Sequence, residues 1–91
     1  MEFEWDEAKS ERNRIERGLP FDLAIELFRG LTVDQVDHRR DYGEPRIRTI
    51  GSAGGAVLVC VWTDRGVVRR IISLRPASRK ERDGYRTTLS G

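Results

Sequence analysis

Ala56-Val57-Leu58-Val59-Cys60-Val61-Trp62 is an unbroken run of seven apolar residues. A run of this length, bounded by turn residues, reads as a central strand covered on both faces. Cys60 within it reads as a small buried hydrophobe. Upstream, Gly51-Ser52-Ala53-Gly54-Gly55 reads as a hairpin loop. Before that loop, Arg46 to Ile50 reads as a strand with Arg46 and Arg48 on one face and Ile47 and Thr49 on the other. Downstream, Asp64-Arg65-Gly66 turns the chain, Val67 to Leu74 is the last strand, and Pro76 stops it.

Outside this β core the signals are helical. Phe3-Glu4-Trp5 alternates as a short first strand, and Asp6 stands where an N-cap belongs. The helix that follows is expected to end at Arg17 with Gly18 as its stop, burying a thin stripe of Ala8 and Ile15. Phe21, Ala24, Ile25 and Phe28 fall at i, i+3, i+4 and i+7, which predicts a second helix opened by Pro20 and ended by Gly30. The two helices would form a helical hairpin. Leu31-Thr32-Val33 is a weak strand candidate, and Asp37 to Pro45 reads as a polar loop. Ser78-Arg79-Lys80-Glu81 is a capping box that opens a final helix to about Thr88. The expected class is α+β: an antiparallel meander sheet with an N-terminal helical hairpin and a C-terminal helix.

Composition narrows the chemistry. The chain has 91 residues, 37% hydrophobic and 35% charged, which is one small domain spanning residues 1–91. One cysteine and one histidine, Cys60 and His38, exclude a disulfide framework and a Cys/His zinc site built within one chain. No apolar run approaches a membrane span, and the opening Met1-Glu2-Phe3-Glu4 has no basic-then-apolar leader, so a cytoplasmic protein with no membrane partner is expected. The net charge of +2 hides an asymmetry: residues 1–64 carry −4 and residues 65–91 carry +6. Only Lys9 and Lys80 are lysines, so the basic end is almost all arginine. Arginine grips phosphate with a planar fork of donors and stacks on bases, which points to nucleic acid as the partner.

The arginines converge near the last helix. Arg75 leaves the last strand, and only Pro76 and Ala77 separate it from Ser78. A helix N-terminus attracts anions, so strand end, helix start and arginine fork outline a phosphate site. Arg79, Arg82 and Arg86 fall at i, i+3 and i+7, one stripe of that helix. Arginine does not serve as a base near neutral pH, but it stabilises charge that develops on a scissile phosphate. Glu81, Tyr85 and His38 are the candidates for acid–base work. Each also has a simpler reading: Glu81 completes the capping box, Tyr85 packs in the core, and His38 is solvated. The glycine-rich Gly51–Gly55 stretch lacks the lysine and the strand-loop-helix context of a phosphate loop.

Four stretches together resemble the BrnT family of type II toxins. They are Phe3-Glu4-Trp5-Asp6-Glu7-Ala8-Lys9, the Gly18-to-Phe21 step, Glu44-Pro45-Arg46-Ile47-Arg48-Thr49-Ile50-Gly51, and Arg70-Ile71-Ile72-Ser73-Leu74-Arg75-Pro76-Ala77-Ser78-Arg79-Lys80-Glu81-Arg82 followed by Tyr85. The last is similar to the family's Arg-Ile-Ile-Ser-Ala-Arg-X-Ala-X-X-X-Glu-Arg signature. The resemblance implies a RelE-like fold and a ribonuclease that inhibits translation and needs no metal or other cofactor. It implies a BrnA-like antitoxin with a ribbon-helix-helix domain, with DNA reached only through the antitoxin complex. Its matching polar positions here are Arg46, Arg70, Ser73, Arg75, Arg79, Glu81 and Tyr85, of which Arg46, Arg75, Arg79, Glu81 and Tyr85 are expected to be catalytic. Arg48, Arg70, Ser73 and Arg82 would hold RNA phosphates. The chain departs from the family pattern at Glu16-Arg17-Gly18, where Lys-His-Gly is usual, and at Pro20, Leu74 and Pro76. Pro76 leaves the phosphate site one charge short. The alternative is a non-catalytic nucleic-acid-binding module that uses the same arginine patch.

Overall fold

The computed structural model describes residues 1–37 and 43–90. Eight elements follow in order: β1 (Glu2–Glu4), α1 (Glu7–Arg17), α2 (Leu23–Leu27), β2 (Val33–Asp37), β3 (Arg46–Ala53), β4 (Ala56–Arg65), β5 (Val68–Pro76) and α3 (Arg79–Ser90). The class is α+β, as the element pattern predicts. The sheet order is β1-β5-β4-β3-β2. The apolar run lies at the sheet's centre in β4, and Cys60 is fully buried there.

The sheet is not wholly antiparallel, which corrects one expectation. β2 through β5 pair antiparallel in chain order, but β1 runs parallel to β5, with Glu2 opposite Val68 and Glu4 opposite Arg70. A parallel neighbour needs a long crossover, and here the whole of α1 to β4 lies between the two strands. The hairpin between β3 and β4 is tighter than expected. Strand pairing continues to Ala53 and resumes at Ala56, leaving Gly54 and Gly55 at φ 59° and 78°. Two central residues with positive φ suit the twist of a two-residue hairpin.

One sheet face packs against α2 and the turn before it through Phe21, Ala24 and Leu27, with Leu58, Cys60, Trp62, Ile71 and Leu74 from the strands. Gly51 belongs to β3, not to the loop, since it pairs with Leu58, and a Cβ there would stand 2.9 Å from Leu27 Cγ. The absent side chain lets α2 approach the sheet. Beneath it, Thr49 Oγ1 donates to Asp34 Oδ1 at 2.6 Å and accepts from Trp62 Nε1 at 2.7 Å, which satisfies two buried polar groups together.

The helical hairpin is reduced from the expectation. α1 is capped by Asp6, whose carboxylate accepts from the Ala8 and Lys9 amides; such a cap is worth about 1 kcal/mol. The expected apolar stripe is overturned: Ala8 and Ile15 are exposed, and Ser10 is the buried residue of α1. Ser10 Oγ accepts from the Phe21 amide at 2.9 Å. Asn13 Nδ2 donates to the carbonyls of Leu19 and Leu74, and Arg17 also donates to Leu74 O. α1 therefore docks through hydrogen bonds, covering the stretch of β5 that extends beyond the three-residue β1. α2 has only five residues, because Phe21 and Asp22 form a turn ahead of it. The weak strand expected at 31–33 starts at Val33 and runs to Asp37. That takes Asp37 out of the expected loop, and His38 lies outside the described residues.

Candidate nucleic-acid interface

The opposite sheet face carries the arginines. Strand alternation places Arg46, Arg48 and Ile50 of β3 on it, because Ile47 packs into the α2 core. β5 reaches the same face by an irregular route. Val61 pairs with Ser73 and Trp62 with Ile71, so Ile72 is an extra residue opposite one step of β4. The bulge inverts the alternation. Ser73 and Arg75 lie on the α3 face above it. Below it, Arg69 lies over the Phe28 and Trp62 rings at 4.5 and 4.3 Å, so Arg70 is on the α3 face. Arg70 and Arg75 are five residues apart and would take opposite faces of a regular strand. Arg70 Nη1 donates to Glu4 Oε2 at 3.0 Å, in line with their register.

Among the described residues, α3 covers one corner of this face, where Ile50, Val59, Ala77 and Tyr85 form a second small core. Beside it runs a groove of about 640 Å³, whose walls include Val33, Gln35, Arg48, Arg75, Lys80 and Tyr85. Arg48 Nη2 donates to Gln35 Oε1 at 2.8 Å across the strand pair. Arg46 stands opposite Asp37 in the same register.

The start of α3 is built around Glu81. Ser78 Oγ accepts from the Glu81 amide at 3.1 Å, and Glu81 Oε1 accepts from the Ser78 amide at 2.8 Å, completing the capping box read from the sequence. The carboxylate does a second task, which spacing along the chain did not reveal. Arg75 grips it with two parallel bonds, Nη1 to Oε1 at 2.8 Å and Nη2 to Oε2 at 2.9 Å. The Arg75 pairing, helped by the Ser78 amide and opposed by partial burial, holds the Glu81 carboxyl down at about 2. A carboxylate this acidic is a weak proton acceptor near neutral pH. Its geometry is that of a group that orients Arg75.

The other expected residues divide. Tyr85 is 7% exposed, and its hydroxyl donates to Leu31 O at 2.8 Å. Its ring serves the core while one edge lines the groove. Arg79 is exposed at the first turn of α3. Arg82 and Arg86 are not brought to the groove. They line a separate hollow of about 620 Å³ with Ser52, Val57 and Ala77. The structure thus gathers Arg46, Arg48, Arg70, Ser73 and Arg75 on one face and sets Arg82 apart. Gln35 was missed from the sequence, since only the β2–β3 register reveals it as the partner of Arg48.

Among the described residues no group of three His, Cys, Asp or Glu side chains is placed to hold a metal ion, and no helix is long and apolar enough to cross a membrane. Comparison with protein families matches residues 5–81 to a family described as "Ribonuclease toxin, BrnT, of type II toxin-antitoxin system". None of the curated proteins matches the chain.

Proposed function

The chain belongs to the BrnT family of ribonuclease toxins of type II toxin–antitoxin systems, and from that premise we propose that it cleaves RNA on the arginine-bearing sheet face without a metal ion, and so inhibits translation in the cytoplasm. The observation that carries this reading is the gathering of Arg46, Arg48, Arg70, Ser73 and Arg75 on one face beside the start of α3.

In this reaction the ribose 2′-oxygen attacks the adjacent phosphorus and the bond to the 5′-oxygen breaks. The products are a 2′,3′-cyclic phosphate and a 5′-hydroxyl. Glu81 is held as a weak base and the Tyr85 hydroxyl proton is engaged by Leu31, so neither is given the proton transfer in this reading; the 2′-OH proton passes to water, and the leaving oxygen takes up a proton from water. Arg75, Arg46 and Arg79 are the groups that meet the charge building on the phosphoryl oxygens. Arg48, Arg70 and Ser73 hold the strand, and Glu81 is a positioning residue for Arg75. Arg82 contacts RNA only where the strand passes across α3.

The reading includes a RelE-like fold and a BrnA-like ribbon-helix-helix antitoxin, through which alone DNA is contacted. An acidic antitoxin segment is drawn to the +6 stretch of residues 65–91. Incubation of purified protein with RNA in EDTA tests the proposal. Cleavage that survives the chelator and falls about 100- to 1,000-fold in Arg75→Ala is the expected result. RNA binding without products, with Arg75→Ala equally harmless to growing cells, overturns it in favour of a binding module.

A further inference from the structure

We propose that the groove between α3 and the β2–β3 edge is a nucleobase subsite that selects guanine, with Gln35 and Arg48 reading the base. The inference rests on the ribonuclease reading above and deepens it, giving Arg48 a base to read instead of a phosphate.

The groove's volume of about 640 Å³ and its mixed lining leave room for one nucleotide. Its α3 side holds Arg75 and Lys80, cations that suit a phosphate, with Glu81 paired to Arg75 beside them. Its walls include the apolar Val33 and Ile50 and the edge of Tyr85, against which a base can lie. Its β2–β3 side holds the Gln35–Arg48 pair. Arg48 lies opposite Val61, which lies opposite Ser73, so Arg48 and β5 are two strand spacings apart, about 10 Å. That is the scale of a nucleotide from phosphate to base edge.

The donor pattern decides which base. Arginine only donates, so the Gln35 amide must turn its oxygen toward Arg48 Nη2, as the 2.8 Å bond records. Gln35 Nε2 is then left as a donor. Arg48, which lines the groove, carries further Nη N–H donors beyond the one that Gln35 takes. The pair therefore offers donors alone. Guanine matches it with two adjacent acceptors, O6 and N7. Adenine places its N6 amino donor beside N7 and sets donor against donor. Uracil interposes its N3–H between two carbonyls. Cytosine has adjacent acceptors in O2 and N3 but a smaller ring to fill the groove.

Binding is read apart from cleavage with uridine-rich RNA hexamers that carry one central variable base and 2′-O-methyl sugars, which have no attacking hydroxyl. Fluorescence anisotropy should show the guanine hexamer binding at least about tenfold tighter than the adenine one, with cytosine between. Gln35→Leu should bring that ratio to within about twofold. Gln35→Glu keeps the oxygen that Arg48 bonds and replaces the free donor by an acceptor, so it should move preference from guanine toward adenine. Equal affinity for all four bases, or an unchanged guanine preference in both folded variants, overturns the subsite. If the hexamers show the preference while all-ribose RNA is never cut, the ribonuclease reading fails and the subsite stands. If RNA is cut without base preference, the subsite fails and the ribonuclease reading stands.

Discussion

Replacing Glu81 by glutamine removes one negative charge from the start of α3 and leaves an oxygen that can still accept from the Ser78 amide. In the folded protein the carboxyl is lowered from 4.5 to about 2, chiefly by Arg75. At about 1.4 kcal/mol per pKa unit that depression corresponds to about 3 kcal/mol. The Glu81 and Arg75 side chains keep 19% and 33% of their exposure, so solvent screening brings the expected contribution down to about 1–2 kcal/mol. A depressed folded-state pKa contributes its full stability above the unfolded value and loses it as pH falls through the folded value. The gap between wild type and Glu81→Gln should therefore be full at pH 7 and shrink as pH falls from 4.5 toward 2. For a domain of this size 1–2 kcal/mol corresponds to a fall in Tm of roughly 5–15 °C. Urea unfolding of both proteins at pH 7, 4 and 3 measures the gap directly. A gap that stays constant across that range, or none at pH 7, refutes the assignment of the depression to Arg75. The same variant separates two chemical roles. As a positioning residue, Glu81→Gln keeps RNA cleavage within about tenfold of wild type with the same pH profile. A general base would cost about 100- to 10,000-fold and remove the acid limb of that profile.

Three further outcomes follow from the geometry. Gly51→Ala places a methyl 2.9 Å from Leu27 Cγ and 3.2 Å from Thr32 Cγ2, so it should destabilise the fold by about 1–3 kcal/mol in thermal melts; an unchanged Tm would mean that α2 is free to move off the sheet. RNA affinity should fall with salt at a slope of about −2 to −3.5, since each phosphate contact on a single strand contributes roughly 0.7 and three to five arginines are engaged. A flat dependence would remove the arginine face as the RNA surface. Hydrogen exchange of the antitoxin complex should show protection in β3, β5 and α3, and protection confined to residues 6–17 would place the antitoxin elsewhere.

Features set by neighbours in the chain were legible without the fold. The Asp6 cap, the Ser78–Glu81 capping box and the β4 strand each depend on groups within a few residues, so composition and spacing suffice. The arginine asymmetry between the two halves is likewise a property of the sequence. What the tertiary structure decided is which of these groups meet. Side chains alternate across a strand, so one extra residue inverts every position beyond it. The Ile72 bulge does this in β5 and places Arg70 with Ser73 and Arg75. The β2–β3 register pairs Gln35 with Arg48, and the turn into α3 closes Arg75 onto Glu81. Helix periodicity put Arg79, Arg82 and Arg86 on one stripe, but the docking of α3 through Tyr85 turned Arg82 and Arg86 to a separate hollow. Charge and local conformation are written residue by residue; the meeting of distant side chains depends on strand register and helix packing, which only the folded chain specifies.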